Sequence, residues 1–191
     1  MRSSGIFLTA LALSLSMLDA GAATDEWSEA EKAILRVPES AFSDLPERVR
    51  HVIRELRCLI PQPGDRVAAR GPLVNVISGQ FARAGQVDWA FLCSSGGRSA
   101  IYVVWGGPEV CPTPLANAAD RDYLQGRGGS VIDFSRELIV AGPDQIVTTY
   151  RHYGKPPPFV SHDAIEDLFV DKASVRHYCD LGTWRTLLGA D

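Results

Sequence analysis

Four cysteines constrain this chain more than any other feature of its sequence: Cys58, Cys93, Cys111 and Cys179. All four lie downstream of an apolar N-terminal segment of the kind that directs export, and exported proteins fold where thiols are oxidised. Their spacing includes no close pair such as C-x-x-C, which metal sites and thiol oxidoreductases use. We therefore expect two structural disulfides.

Four cysteines allow three pairings, and sequence spacing alone does not choose among them. Cys58 follows a predicted helix and Cys93 ends a predicted strand, so a bond between them would join a helix to a sheet. Cys111 and Cys179 would then tie the middle of the chain to its C-terminal strands. Each bond would restrict the unfolded chain by roughly 4 kcal/mol in the chain-entropy account of disulfides.

The N-terminal segment has the three parts of a secretory signal peptide. Arg2 supplies positive charge, residues 6–18 form an apolar run, and residues 20–23 are small. The apolar run is too short to cross a hydrocarbon layer of about 30 Å. We predict cleavage after Ala22 or Ala23, with the signal peptide over residues 1–22 and a single domain over residues 23–191. An uncleaved N-terminal anchor is the alternative, and no downstream basic flank supports it.

The predicted destination is the periplasm or the extracellular medium, with no stable membrane span after cleavage. The 191-residue chain carries 19 Lys and Arg against 23 Asp and Glu, a formal net charge of −4 at pH 7. Nucleic-acid binding depends on a concentrated basic surface that neutralises phosphates. The charge balance therefore predicts no nucleic-acid partner.

Two helices are predicted before residue 60. Ser28 and Glu31 form a capping-box pattern, which predicts a short helix over residues 28–36. A second helix is predicted to begin near Ser43 and Asp44, because apolar residues then recur at helical spacing on one face. Those apolar residues are Leu45, Val49, Val52, Ile53 and Leu56.

Short apolar runs separated by Gly- and Ser-rich turns predict strands in the rest of the chain. The predicted strands cover residues 73–77, 87–93, 100–105, 131–134, 138–141, 146–153, 165–170, 174–178 and 183–188. Helices come first and strands follow without βαβ alternation. This order predicts an α+β fold in which N-terminal helices pack on a mainly antiparallel, disulfide-stabilised sheet.

The segment GQFARAGQVDWA at residues 79–90 resembles one FG-GAP or VCBS repeat. Such repeats build β-propeller blades and commonly carry a calcium loop of alternating aspartates. Here Gln80, Ala82 and Ala84 occupy the positions of carboxylates and only Asp88 remains, whereas calcium takes six to eight oxygen ligands. A propeller also needs several copies. The resemblance therefore implies a hairpin and neither a propeller nor a calcium site.

A wider resemblance covers most of the predicted mature chain. The same segment, together with CLIPQ at residues 58–62 and the C-terminal stretch from FVDKAS at residues 169–174 through Trp184 to GAD at residues 189–191, is similar to a group of uncharacterised exported bacterial proteins. This resemblance sharpens the expected fold and leaves the function open.

Familiar catalytic motifs are missing from the sequence: there is no G-x-S-x-G elbow, no H-E-x-x-H zinc helix, no P-loop and no dinucleotide fingerprint. One polar cluster contains residue types suited to acid–base or metal chemistry: His152, His162, Asp163, Glu166, Asp167 and His177. Its spacing is unspecific, so we predict neither a metal nor a cofactor. His162, Asp163 and a second histidine, His152 above all, define an alternative hypothesis, a small extracytoplasmic hydrolase.

Trp89, Trp105 and Tyr102 lie on predicted strands and define a possible ligand platform, although strand aromatics more often belong to the core. Because no catalytic constellation is recognisable, we predict a binding or interaction module, such as an inhibitor, over an enzyme. Its predicted partner is a protein or a glycan of the cell envelope.

Overall fold

The computed structural model describes residues 20–189, and side chains are described from Glu26 onward. Residues 1–19 of the predicted signal peptide therefore lie outside the described residues. The first helix, α1, covers Ala20–Ala33 and so runs through both predicted cleavage positions. None of the helices between residues 20 and 189 has the length and apolar character needed to cross a membrane.

Four helices lie in the described part of the chain: α1 (Ala20–Ala33), α2 (Glu47–Leu56), α3 (Gly64–Ala68) and α4 (Pro143–His152). The strands of the first half are β1 (Arg36–Val37), β2 (Ile60–Pro61), β3 (Val76–Gly79), β4 (Asp88–Ser95), β5 (Arg98–Val104) and β6 (Leu115–Ala119). Those of the second half are β7 (Leu124–Gly126), β8 (Ile132–Phe134), β9 (Arg136–Ala141), β10 (Ala164–Phe169), β11 (Ala173–Asp180) and β12 (Thr183–Leu188).

Two four-stranded antiparallel sheets dominate the fold. Sheet I has the order β3-β4-β5-β6 and sheet II the order β9-β10-β11-β12, so each sheet follows the chain as a meander. Short antiparallel ladders pair β1 with β2 and β7 with β8. The predicted α+β class with mainly antiparallel strands is confirmed, with the strands divided among several sheets.

The main core lies between the two sheets. Alternate residues of sheet I, such as Leu92 and Ile101, pack in one cluster with Leu138 and Ile165 of sheet II. Because side chains alternate across a strand, the opposite residues of each sheet face outward and need a cover of their own.

Helices cover both outer faces. Val49 and Ile53 of α2 are fully buried against the outer face of sheet I, where they meet Phe91. Ile146 of α4 packs on the outer face of sheet II beside Tyr178. The result is a four-layer arrangement in which α2, sheet I, sheet II and α4 follow one another.

Both predicted disulfides are confirmed, in the pairing that joins helix to sheet. Cys58, which follows α2, is bonded to Cys93 of β4 with a Cα–Cα distance of 5.3 Å. Cys111, in the connection after β5, is bonded to Cys179 of β11 with a Cα–Cα distance of 5.9 Å. The first bond fixes α2 to sheet I, and the second joins the β5–β6 connection within sheet I to β11 of sheet II.

The predicted strand over residues 146–153 is wrong, because this segment belongs to α4. Its β-branched residues favour a strand locally, but Pro143 occupies the first turn and the Gln145 side chain accepts a hydrogen bond of 2.8 Å from the Gly142 N–H. Ile146 and Tyr150, four residues apart, then reach the same outer face of sheet II. The prediction that helices are confined to the N-terminal part is therefore wrong as well.

The N-terminal helix boundaries also differ from the prediction. The predicted helix over residues 28–36 ends earlier, at Ala33, because Arg36 pairs with Pro61 in the β1–β2 ladder. The second helix begins at Glu47, directly after Pro46, and not near Ser43. Proline is favoured at a helix start because its fixed φ suits the first turn and no N–H donor is needed there.

Candidate functional site

A groove of about 610 Å³ lies beside α4. Its walls come from α4, from β11 and from the residue that follows β12. The lining residues are Asp144, Gln145, Thr148, Thr149, His152, Tyr153, Arg176 and Gly189. Ligand sites commonly have volumes of about 300–1,000 Å³, so the groove has room for a small organic ligand.

One stripe of α4 forms the long wall of the groove. Gln145, Thr149 and Tyr153 recur every four residues, and such residues share one face of a helix. A neighbouring face carries Ile146 and Tyr150 into the packing against sheet II. The same packing that anchors α4 therefore leaves its polar stripe facing the groove.

Arg176 of β11 forms the floor. Its side chain is only 10% exposed, and its Nη2 lies 2.9 Å from Oε1 of Glu166 on the neighbouring strand. Nη1 donates to the Thr149 hydroxyl of α4, whereas Nε is buried and has no hydrogen-bond partner among residues 20–189. The guanidinium is therefore fixed by both a helix and a sheet, and part of its hydrogen-bonding capacity is unused.

Ser174 and Gly189 complete the support for Arg176. The Ser174 hydroxyl donates a 2.6 Å hydrogen bond to Oε1 of Glu166. The Gly189 N–H donates to the Ser174 carbonyl at 2.8 Å, which brings the chain close over this cluster. A Cβ on Gly189 would lie 1.7 Å from the Ser174 hydroxyl oxygen, so only glycine fits at this wall.

The two ends of the groove differ in chemistry. At the C-terminal end of α4, the rings of His152 and Tyr153 meet edge to face with their centroids 5.3 Å apart. Tyr153 remains 47% exposed. At the N-terminal end, Asp144 and Gln145 supply carboxylate and amide groups. An aromatic surface thus stands opposite planar polar groups.

The structure separates the predicted polar cluster into different places. His162 and Asp163 lie before β10, and the His162 Nδ1 is 3.0 Å from the Asp163 carbonyl oxygen. The Asp163 carboxylate accepts the Gln80 N–H at 2.8 Å and so connects this segment to the β3–β4 connection. His152 instead lines the α4 groove.

His177 faces the interior between the sheets. It is 9% exposed, and its Nδ1 lies 3.5 Å from the Thr186 hydroxyl. Burial lowers the pKa of His177 below its ordinary value; Asp167 opposes this effect and Arg136 adds to it. From residue 20 to residue 189, no three His, Cys, Asp or Glu side chains are grouped so that they could hold a metal ion.

The three residues of the predicted aromatic platform do not share one face. Trp89 and Tyr102 pack with the cluster on the outer face of sheet I, where Tyr102 stacks on Phe91 at a centroid distance of 5.9 Å. Trp105 packs with the core between the sheets, at 5.9 Å from Trp184. All three are half-buried in these clusters.

The segment over residues 79–90 forms the end of β3, its connection to β4 and the start of β4. Asp88 is fully buried, and its carboxylate accepts the N–H groups of Phe81, Ala82 and Gly106 as well as the Gln86 amide. Its oxygens are therefore engaged within the chain itself. The resemblance to an FG-GAP or VCBS repeat stays a prediction.

Comparisons with known proteins find no match: no protein-family model, no curated protein and no solved structure matches the chain.

Sequence reasoning missed the groove because it missed α4. Arg176 and Thr149 are 27 residues apart in the chain and meet only when α4 packs on sheet II. One local signal was available: the Gly-Pro-Asp-Gln sequence at residues 142–145 is a helix start, with proline in the first turn and a glutamine that caps it.

Proposed function

We propose that this protein is an exported binding protein whose ligand occupies the α4 groove. The observation that carries the proposal is the position of Arg176, a nearly buried guanidinium fixed by Glu166 and Thr149 at the floor of a groove of ligand size. A concave site with a few oriented polar groups is the usual form of a small-molecule binding site.

The groove favours a glycan over a peptide. The exposed Tyr153 ring offers an apolar face to the C–H groups of a sugar ring, and Asp144 and Gln145 offer hydrogen-bonding groups to its hydroxyls. The charge of Arg176 is offset by Glu166, so the floor attracts a neutral polar ligand as well as an anionic one.

Export is proposed from two features. The N-terminal residues have the pattern of a signal peptide, and both cysteine pairs are oxidised to disulfides. Both features fit a protein of the periplasm or the extracellular medium, where a cell-envelope glycan would be the accessible ligand.

The alternative of a hydrolase that uses His162, Asp163 and His152 has less geometric support. The Asp163 carboxylate is engaged by the Gln80 N–H, while His152 lies on α4 against Tyr153. A general acid–base pair has to lie within hydrogen-bond reach of one substrate proton or connect to it through one water. The positions of these residues favour binding.

The test is a titration of the ¹⁵N-labelled protein with neutral trisaccharides of glucose and of N-acetylglucosamine, and with trialanine as the peptide probe. We expect saturable amide shifts at Thr148, Thr149 and Arg176 with at least one trisaccharide. The variant Thr148→Trp places a large ring in the groove and should weaken binding by at least about tenfold, since about 1.4 kcal/mol corresponds to that factor.

The matched control is Arg151→Trp, which places the same ring on an exposed position of α4 outside the groove lining. It should bind like the unchanged protein. Binding of trialanine alone would refute the glycan class. Amide shifts confined to residues outside the groove would refute the assignment of the groove. Equal losses of binding affinity in Thr148→Trp and Arg151→Trp would refute it as well.

A further inference from the structure

Strand β12 forms an open edge of sheet II. It pairs with β11 on one side, and no other strand of the described chain pairs with it. Four of its six residues are exposed: Thr183, Arg185, Thr186 and Leu188. The main-chain groups on the open side of β12 therefore have no neighbouring strand within the described residues.

The turn before β12 determines which main-chain groups point outward. Leu181 and Gly182 both have positive φ values, 49° and 77°, which is the pattern of a two-residue type I′ hairpin. In such a hairpin Asp180 and Thr183, which close the turn, exchange main-chain hydrogen bonds, and every second pair along the ladder does the same. The Gly189 N–H bonded to the Ser174 carbonyl follows the same alternation.

The residues whose main-chain N–H and C=O groups point outward are therefore Trp184, Thr186 and Leu188. In this alternation their main-chain N–H and C=O groups point away from β11, and none of the turn and loop hydrogen bonds within residues 20–189 uses them. An unpaired edge of this kind is a template for another strand.

This edge lacks the features that usually prevent pairing. It contains no proline and no lysine, and its register with β11 is continuous from Thr183 to Leu188. Its one charged residue, Arg185, lies 3.2 Å from Asp180, which offsets the charge. Leu188 is 63% exposed at the end of the strand. Proteins commonly protect long regular edges by charge, proline or bulges, and β12 has none of these beyond the paired arginine.

We propose that β12 pairs antiparallel with β12 of a second copy of this chain, with Thr186 opposite Thr186 on a two-fold axis. The three outward residues are symmetric about Thr186. Each copy then donates its Thr186 N–H to the other copy's Thr186 carbonyl, and Trp184 of one copy exchanges bonds with Leu188 of the other. Six main-chain hydrogen bonds form, and the two copies of sheet II become one eight-stranded sheet.

Side-chain pairs in this register favour a second copy. Trp184 stands opposite Leu188, which covers the exposed leucine. Arg185 stands opposite Leu187, so the two arginines lie diagonally across the axis and are not directly opposed. A self-complementary patch of this kind is the requirement for an isologous dimer, in which both copies use the same surface.

The proposal is tested by sedimentation velocity on the mature protein. Because one strand edge makes a small interface, we expect a dissociation constant on the order of 10–100 µM and a clear increase in mass up to about 500 µM. The Thr186 amide should also exchange with deuterium more slowly at high protein concentration, because only the dimer bonds it.

Two variants separate the dimer from a general effect on folding. Thr186→Pro removes the N–H that points outward and that no described hydrogen bond within one copy uses, so it should weaken association at least about tenfold with little change in circular dichroism. Thr186→Ala keeps the N–H and should associate like the unchanged protein. If Thr186→Pro does not fold, Thr186→Lys serves instead, because it places two ammonium groups on the axis.

Thr183→Lys is the control for added charge, since in the proposed register Thr183 stands opposite Gly189 and not opposite itself. It should still associate, whereas Thr186→Lys should not at low salt. A protein that stays monomeric up to about 500 µM overturns the proposal, as does a dimer that Thr186→Pro and Thr186→Lys leave unchanged. Association that needs an added extended peptide would instead assign the edge to a different partner and would also overturn the proposal.

Discussion

Arg136 of β9 and Asp167 of β10 form a two-pronged ion pair in the interior between the sheets. Arg136 Nε lies 2.8 Å from Asp167 Oδ1, and Nη2 lies 2.7 Å from Oδ2. The guanidinium also donates to the carbonyl and hydroxyl oxygens of Ser99 and to the Ala116 carbonyl, all in sheet I. Its Cζ lies 4.4 Å from the centre of the Tyr123 ring. One fully buried side chain thus uses all five of its donors and connects the two sheets.

Removing one partner of this pair should be far more destabilising than replacing both. Asp167→Ala leaves a buried guanidinium without its counter-charge, so we expect a loss of about 3–5 kcal/mol in the free energy of unfolding. The double variant Arg136→Met with Asp167→Leu removes both charges and should recover most of that loss. Urea denaturation with the disulfides intact measures the free energy of unfolding of both variants. Equal losses in the single and the double variant would contradict this explanation.

Stability should fall as the pH decreases below about 6.5, because burial lowers the pKa of His177 in the folded protein. In that range the unfolded chain takes up a proton that the folded protein does not. The free energy of unfolding therefore decreases with decreasing pH, by at most about 1.4 kcal/mol per pH unit for this one proton. His177→Gln should flatten the dependence between pH 7.5 and pH 5, as measured by denaturant titration at each pH.

His51→Gln is the control for that experiment, because the His51 side chain is 62% exposed on α2 and its contact with Glu55, at 3.3 Å, is an exposed pair of the kind that contributes little to stability. It shows how much the replacement of a histidine by glutamine changes the measured values by itself. If the free energy of unfolding changes with pH in the same way in His177→Gln and in the unchanged protein, His177 is not responsible for the loss of stability at low pH.

Asn75 connects the two sheets at their common edge and should be hard to replace. It is fully buried, and its φ of 69° lies in the left-handed region. Its side-chain amide donates to the Pro61 and Arg136 carbonyls at 2.6 and 3.1 Å. Its Oδ1 accepts the Leu138 N–H at 2.8 Å. Asn75→Ala loses these bonds and places an alanine in the left-handed region, so we expect a loss of about 2–4 kcal/mol in the free energy of unfolding.

Asn75→Gly separates the two contributions. Glycine adopts the left-handed conformation without strain, so this variant loses only the side-chain bonds. It should be more stable than Asn75→Ala by about 1 kcal/mol, measured by urea denaturation. An alanine variant at least as stable as the glycine variant would show that the backbone conformation is not a constraint there.

The Cys111–Cys179 bond should matter more to stability than to the shape of the groove. Replacing both cysteines by alanine removes a link between residues 68 positions apart, and we expect a loss of about 2–5 kcal/mol in the free energy of unfolding. The amide shifts of Thr148 and Arg176 should stay unchanged, because both residues line the groove on the outer face of sheet II, whereas Cys179 faces the opposite side of β11. Large shifts at those amides would show that the disulfide also organises the groove.

Local patterns predicted much of the fold. The apolar stripe of α2 is visible in sequence because residues three and four apart share a helix face, and Val49 and Ile53 are indeed buried. The runs that became β4, β5, β10 and β11 were identified because a continuous apolar stretch of strand length fits a sheet that is covered on both faces. The positions of those elements favoured the disulfide pairing that the structure shows, but the sequence left all three pairings open.

The sequence by itself thus determined the class of fold, the presence of two disulfides and the helices and strands whose apolar pattern is local. Only the tertiary structure decided the candidate site. Residues 146–149 have the β-branched composition of a strand, but the Gly142–Gln145 cap and packing on sheet II make them a helix. Arg136 and Arg176 acquire their roles from partners about 30 residues away, and a contact between distant residues exists only after the sheets and α4 have packed together.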